Sequence, residues 1–391
     1  MFIYNHSSGG KIMTKERTER NSNFELMRIT SMFMIVIWHF IFHSGILTKT
    51  SGILNLFLYF IFITTSIHVN SFVLVSGYFQ YNKIFKSKKI VSLITTTWFY
   101  KLIYAIVFSV TGIVTITKTE MLFFIQPFNF NYGFGEFYWF INMYIFLYLI
   151  SPFINKLIET LSQKQHKTLI IILFITLSIV PIFTLNSTLG LSNNGYTLAN
   201  FIMIYIIGAY FGKYKLKDNY HFKNYSKNKY QLIIIIFFII SIFMSFMAKI
   251  LSDYFSCYNN ELLKYITEIF SKNLTNYASP LILIESILYL LFFETLNIKN
   301  KFINKLASLT FGIYLVHENN FVFERLYKHL PIEINGIIYP NVIIKMLLYS
   351  IIIFIVSAII EYIRQLISKL ITKTKIYKKF INKIENYIKI F

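Results

Sequence analysis

The chain has 391 residues, of which 55% are hydrophobic and only 14% are charged. Soluble domains carry about 25% charged residues, and apolar stretches long enough to cross a hydrocarbon layer of roughly 30 Å recur along the whole chain. This excludes a soluble enzyme with one anchor. The stretches are continuously apolar, which also excludes an outer-membrane barrel, whose strands alternate in polarity. We therefore expect an all-α, polytopic membrane protein.

The net charge of +21 would suggest a nucleic-acid ligand in a soluble protein. Here 33 of the 38 basic residues are lysines, and the chain is also rich in Ile, Phe, Tyr and Asn. This composition is typical of an AT-rich genome, so no nucleic-acid partner is expected. Cys257 is the only cysteine, which excludes an intramolecular disulfide and any CxxC site. No metal is expected.

Apolar stretches predict about ten transmembrane helices. They cover residues 25–46, 54–79, 90–114, 137–158, 168–185, 197–212, 231–250, 278–296, 302–320 and 338–361. A short segment, 1–24, precedes this membrane domain of residues 25–361. The basic tail, 362–391, is expected either to lie on the inner leaflet as an amphipathic helix or to be solvated.

The distribution of basic residues predicts the orientation of these helices. When successive loops are assigned to alternate sides, 28 of the 38 Lys and Arg residues fall on the side that holds both termini, and seven fall on the other side. Cytoplasmic loops carry an excess of Lys and Arg. Both termini are therefore predicted to be cytoplasmic.

The first span contains ionisable side chains on one helical face. Arg28 and His39 are eleven residues apart, which is three helical turns and about 16 Å, and Glu25 lies within one turn of Arg28. Ionisable side chains at such depth usually face a protein-lined cavity, and an imidazole there can accept a proton from an attacking hydroxyl. Alternatively, Arg28 snorkels to the headgroups and His39 makes a hydrogen bond between helices.

The second span ends with Ser76 and Gly77, followed by four lysines that include Lys83. Gly77 leaves room for a ligand or for another backbone to approach. The lysines would attract a phosphorylated ligand from the cytosol. The alternative is close helix packing together with ordinary positive charge on the inner side.

Aromatic and acidic residues are expected at the outer ends of two spans. Glu136 and Trp139 begin the fourth span, and His317 and Glu318 end the ninth. Aromatic faces beside carboxylates suit sugar binding, although aromatic belts at membrane interfaces are common.

Several of these motifs together resemble the acyltransferase 3 family, whose members are ten-span proteins that O-acylate surface polysaccharides and related glycans. The resemblance extends over residues 20–361. It is carried by Arg28 and His39 in an R-x10-H arrangement, by Ser76-Gly77-Tyr78-Phe79, by the segment from Trp139 to Pro152, and by Phe311-Gly-Ile-Tyr-Leu-Val-His317-Glu318.

The resemblance implies a catalytic role for His39 and a multi-pass protein of the bacterial cytoplasmic membrane. Arg28 would engage an acyl-CoA donor, expected to be acetyl-CoA, with Ser76, Gly77 and Lys83 nearby. The acceptor would be a cell-surface polysaccharide or a lipid-linked precursor, bound by Glu136, Trp139, His317 and Glu318. Many relatives carry an acidic residue where this chain has Asn70, so Glu25 or Glu136 is the candidate for the missing carboxylate.

A transporter or flippase for a glycan intermediate is the main alternative from another class. Transporters usually show repeated halves or broken helices with charged groups near the midplane, whereas the buried charge here concentrates in the first span. A polysaccharide polymerase would be expected to have a larger outer loop than residues 251–277. Release of CoA in the presence of an acceptor distinguishes an acyltransferase from a flippase.

Overall fold

The computed structural model describes residues 20–112, 117, 138–183, 193–215, 225–258, 260–273, 276–327, 329–330, 332–334, 337–338, 341–375, 377, 379 and 382–383. Within these ranges the regular structure is helical, apart from one short antiparallel pair formed by β1 (Glu333–Ile334) and β2 (Ile337–Ile338). The all-α prediction is confirmed.

The described helices follow one another as α1 (Ser22–Ser44), α2 (Ile46–Lys49), α3 (Gly52–Thr65), α4 (His68–Gln80), α5 (Ser87–Val110), α6 (Trp139–Thr160), α7 (Gln163–Phe183), α8 (Leu198–Lys213), α9 (Lys227–Ser256), α10 (Glu261–Asn273), α11 (Pro280–Thr295), α12 (Lys301–Ala307), α13 (Thr310–His317), α14 (Asn320–Leu326) and α15 (Val342–Thr372). Helix α7 contains a π-helical turn at Ile175–Ile179. A 3₁₀ turn at Asn193–Gly195 precedes α8.

Seven of the described segments are long and apolar enough to cross a membrane. They are α1, the α3–α4 pair, α5, α6, α7, α9 and α15. The predicted spans at 197–212, 278–296 and 302–320 are instead occupied by shorter helices, since α8 and α11 have 16 residues each and α12 and α13 are separated by a break. The number of ten spans and the orientation of the termini therefore stay predictions.

Helix α1 is central to the fold. Asn21 caps its first turn by accepting a hydrogen bond from the backbone N–H of Asn23, and Gly45 ends it in the left-handed conformation. The helix packs against α3, α4, α11, α12, α13 and α15. Side chains on opposite faces of α1 therefore meet different helices.

Helices α4 and α8 approach each other closely through glycines. A Cβ atom on Gly77 would lie 2.1 Å from the backbone oxygen of Tyr205, and one on Gly208 would lie 2.2 Å from that of Leu74. Gly212 meets the backbone of Tyr78 in the same way. Packing of this kind, with small residues at the contact, is typical of membrane helices.

Helix α13 is short, and a buried polar network fixes its position. Its Gly312 leaves space for the carboxylate of Glu361 on α15, because a Cβ at that glycine would lie 2.1 Å from the Glu361 carboxyl group. This carboxylate accepts hydrogen bonds from the Tyr100 hydroxyl at 2.7 Å and from the Arg364 guanidinium at 2.7 Å. The network ties α13, α15 and α5 together below the C-terminal end of α13, where His317 lies.

Candidate active site

A cavity of about 390 Å³ runs beside α1 and is lined by residues from both halves of the chain. Arg28 and His39 both line it, and they are about 16 Å apart along the helix axis. The cavity therefore has an Arg28 end and a His39 end. The charged and polar lining residues are Arg20, Glu25, Arg28, Ser76, Lys89, Tyr144, His39, His68, Tyr277, Ser308, Thr310 and Tyr314.

At the His39 end, two further histidines and a carboxylate surround the imidazole of His39. Its Nδ1 lies 3.1 Å from Nε2 of His317 and 2.9 Å from Oε2 of Glu318. Nε2 of His43, one turn further along α1, lies 3.1 Å from the same carboxylate oxygen. His39 and His317 are both buried.

The hydrogen bonds determine which ring nitrogens carry protons in the neutral state. Nδ1 of His317 lies 2.6 Å from the carbonyl oxygen of Ile313, which can only accept, so this nitrogen carries the proton and Nε2 is an acceptor. Nδ1 of His39 therefore lies between two acceptors and must carry its own proton. Nε2 of His39 retains a lone pair, and among the described residues no side chain hydrogen-bonds to it. Neutral His39 is thus oriented as a proton acceptor.

At the Arg28 end the cavity is cationic. Nη1 of Arg28 donates to Glu25 at 3.0 Å, and about a third of the Arg28 side chain remains exposed. Nζ of Lys89 donates to Gln80 and to the hydroxyl of Tyr144, at 3.1 Å each. The Tyr144 hydroxyl also lies 3.1 Å from Oγ of Ser76. These side chains leave both cations next to open space, where they could bind an anionic ligand.

The structure brings two of the four predicted donor-site residues to the cavity. Arg28 and Ser76 line the cavity, whereas Gly77 and Lys83 are not among its lining residues. Gly77 faces the opposite way, against the backbone of α8, which is the packing alternative considered above. Lys83 is exposed, and Lys89 is the lysine of that group that reaches the cavity.

Several of the remaining predicted residues also lie in positions that differ from those expected. Glu25 lines the cavity but pairs with Arg28, and it is fourteen residues, or about 21 Å, from His39. His317 and Glu318 contact His39 itself instead of an outer surface. Glu318 is therefore the described carboxylate that lies beside His39. Trp139 lines the cavity as expected, and Glu136 lies outside the described residues.

Sequence analysis missed an aromatic cluster that extends the His39 end. Tyr277 stacks against Trp139 with ring centroids 5.8 Å apart. The ring centroids of Tyr196 and Trp139 are 4.4 Å apart. Nε2 of His68 lies 3.3 Å from the Tyr277 hydroxyl. Tyr277 precedes the eighth predicted span by one residue, and nothing in its local sequence distinguishes it from the other 28 tyrosines.

Comparison with known proteins identifies the family. A family model described as an acyltransferase domain, that of the acyltransferase 3 family, matches residues 21–362. None of the curated proteins and none of the solved structures matches the chain significantly. The family match covers nearly the whole chain and includes every cavity residue described above except Arg20. The chain therefore belongs to the acyltransferase 3 family and is a multi-pass membrane acyltransferase.

Proposed function

We propose that this protein is an integral-membrane O-acyltransferase of the bacterial cytoplasmic membrane. It would move an acetyl group from cytosolic acetyl-CoA to a hydroxyl of a cell-surface polysaccharide or of its lipid-linked precursor. One observation carries the proposal, namely that Arg28 and His39 line the same cavity.

The cationic end of the cavity supports an acyl-CoA donor. Arg28 and Lys89 would bind the phosphates of the CoA moiety, since guanidinium and ammonium groups both bind phosphate. The axial distance of about 16 Å from Arg28 to His39 is of the same order as the length of a pantetheine arm. A donor held by its phosphates at the Arg28 end would therefore present its thioester to His39.

At the His39 end, the imidazole of His39 would accept and return the proton. The acceptor hydroxyl attacks the thioester carbonyl carbon while Nε2 of His39 takes the hydroxyl proton. The new ester bond forms as the carbon–sulfur bond breaks, and the imidazolium returns the proton to the CoA thiolate. Glu318, 2.9 Å from Nδ1, would stabilise the positive charge that His39 carries in between.

The aromatic cluster supports a glycan as the acceptor. Trp139 and Tyr277 line the cavity beside His39, and Tyr196, which is partly exposed, continues the cluster outward. Aromatic faces bind the apolar faces of sugar rings, and the polar tips of Tyr and Trp provide hydrogen bonds. A sugar entering past Tyr196 would reach Nε2 of His39 from the side opposite to the Arg28 end.

The test is acetyl transfer by the purified protein in detergent, with acetyl-CoA as donor and the surface polysaccharide of the producing cells as acceptor. We expect free CoA thiol to be released only when the acceptor is present. His39→Gln should lower the rate by about 10²- to 10⁴-fold, because it removes the general base. A flippase would transport the glycan without releasing any thiol.

His166→Gln is the matched control for that variant. His166 is also a buried histidine in a membrane helix, and its Nε2 donates to the carbonyl oxygen of Ile206, 3.1 Å away. It does not line the cavity. We expect the control to accumulate and transfer acetyl groups as the unmodified protein does. Acetyl transfer by His39→Gln at the rate of the control would overturn the proposed mechanism.

The direction of donor entry is tested separately by cysteine labelling. Single cysteines at Asn82 and Asn131 in a Cys257→Ser background are treated, in intact cells, with a thiol reagent that cannot cross membranes. The charge distribution predicts labelling at position 131, and labelling at position 82 only after the cells are opened. The reverse pattern would place the Arg28 end outside the cell, where cytosolic acetyl-CoA could not reach it.

A further inference from the structure

The cluster around His39 has the composition of a metal site. Three potential ligand atoms, Nδ1 of His39, Nε2 of His317 and a carboxylate oxygen of Glu318, lie within 4.8 Å of one another. Two imidazoles and a carboxylate are also the protein ligands of many zinc sites that keep a fourth position open. Sequence analysis expected no metal, and these residues lie in two spans that are far apart in the chain.

Two of the three distances between ligand atoms in the cluster are close to those around a coordinated ion. The ligand atoms of a tetrahedral zinc site lie roughly 3.4 Å apart, since each is about 2.1 Å from the metal. Here Nδ1 of His39 is 3.1 Å from the His317 nitrogen and 2.9 Å from the Glu318 oxygen. The third distance, from the His317 nitrogen to the Glu318 oxygen, is within 4.8 Å, so a side-chain shift of at most roughly 1.4 Å would bring this pair to the spacing of a zinc site.

Outer contacts already orient two of the three ligands, His317 and Glu318, as they do in metal sites. Metal-binding histidines almost always donate their other ring N–H to a carbonyl or a carboxylate, and Nδ1 of His317 donates to the Ile313 carbonyl at 2.6 Å. The Glu318 oxygen that contacts His39 also lies 3.1 Å from Nε2 of His43. His43 in turn stacks on Phe323 with ring centroids 4.2 Å apart. The lone pair of His317 is thus directed at the cluster before any ion binds.

We propose that His39, His317 and Glu318 bind one divalent transition-metal ion such as Zn²⁺, and that the bound ion inhibits acetyl transfer. Coordination by Nδ1 of His39 displaces the proton from that nitrogen. Because a neutral imidazole has one N–H, the remaining proton must then lie on Nε2. The open lone pair on Nε2 of His39 disappears, so His39 cannot bind the ion and act as the general base at the same time. Only the inhibitory part rests on the proposed function.

Binding is tested first, without any assay of activity. Purified full-length protein is stripped with a chelator and titrated with Zn²⁺ by calorimetry, and we expect one ion per chain. His317→Gln should abolish this site, and His43→Gln should weaken it by about 10- to 100-fold, as loss of an outer-shell partner does. His166→Gln, the matched buried histidine outside the cluster, should bind Zn²⁺ normally. Absence of binding, or equal affinity in His317→Gln and His166→Gln, would overturn the site.

Cobalt provides a second readout that does not depend on how well the variants fold. Co²⁺ bound to the stripped, unmodified protein should give the visible absorption bands of a four-coordinate site with nitrogen ligands, and Zn²⁺ should remove these bands. Mg²⁺, which prefers oxygen ligands, should not compete. A cobalt spectrum typical of six oxygen ligands would contradict the assignment.

Inhibition is then measured by transfer of radiolabelled acetyl groups, because free CoA thiol would itself bind zinc. We expect the stripped protein to be active, Zn²⁺ to inhibit it with the affinity found by calorimetry, and a chelator to restore its activity. Full activity with the site occupied, or activity that requires Zn²⁺, would overturn the inhibitory role. If the protein transfers no acetyl groups either with or without Zn²⁺ while calorimetry still shows the ion, the proposed function fails and the metal site stands.

Discussion

The two ends of the cavity use charged residues in different ways. At the His39 end, the polar atoms of His39, His317 and Glu318 are engaged with one another or with the backbone, and Nε2 of His39 is left open. At the Arg28 end, Arg28 has one described bond to Glu25, and about a third of its side chain is exposed. The first arrangement is rigid and directs one lone pair, whereas the second can adapt to a ligand.

This difference predicts different kinetic effects for substitutions at the two ends. Changes at the His39 end should lower kcat, because interactions there matter mainly in the transition state. Changes at the Arg28 end should raise the KM for the donor, because the cations there would hold groups that do not react. The following variants are ordered by the size of the expected effect.

Glu318→Gln should lower kcat by about 10- to 100-fold, with the KM for acetyl-CoA nearly unchanged. The amide oxygen can still accept from Nδ1 of His39, but the negative charge that stabilises the imidazolium is lost. Hydrogen bonds to charged groups are worth about 1.5–3 kcal/mol, and each 1.4 kcal/mol is a factor of about ten. Steady-state kinetics of the purified variant measure both constants. A rise in KM at constant kcat would assign Glu318 to substrate binding, as its sequence position first suggested.

Arg28→Lys should raise the KM for acetyl-CoA about tenfold and leave kcat close to that of the unmodified protein. An ammonium keeps the charge but loses the planar pair of N–H donors that matches a phosphate. Titration of the donor at saturating acceptor measures the effect. An unchanged KM and an unchanged kcat would mean that Arg28 only anchors α1 at the headgroups.

Lys89→Met should raise the KM for the donor about fivefold, since a half-exposed charge contributes about 1 kcal/mol. Lys83→Met, six residues earlier in the chain, is its matched control and should change neither constant, because Lys83 is exposed and does not line the cavity. Both variants remove one positive charge and keep a similar apolar chain. Equal effects would show that the lysines act through their summed charge alone.

Sequence periodicity was enough to place Arg28 and His39 on one face, because both belong to one uninterrupted helix and its geometry fixes their separation. The structure adds that this face borders a cavity. The family motif pointed to the same two residues. This part of the candidate site was therefore predictable from local sequence.

The partners of His39 were not predictable in the same way. His317 is 278 residues away in the chain, and its position depends on the break between α12 and α13 at Ser308–Leu309. Hydropathy does not reveal this break, because residues 302–320 form one apolar stretch. The choice of Lys89 over Lys83 depends likewise on where α5 begins, at Ser87. Both the position of His317 and the choice of Lys89 depend on tertiary contacts.

The glycine contact between α4 and α8 bears on the size of the acyl group that the protein could accept. Ser76 lines the cavity, and the next residue, Gly77, already touches the backbone of α8. Helix α4 therefore cannot move outward to make room for a longer acyl chain. Extra space would have to come from smaller side chains on the other walls, for example at Met32 of α1, Leu93 of α5 or Phe140 of α6. Selectivity for chain length would thus be set by the apolar side chains of these other walls.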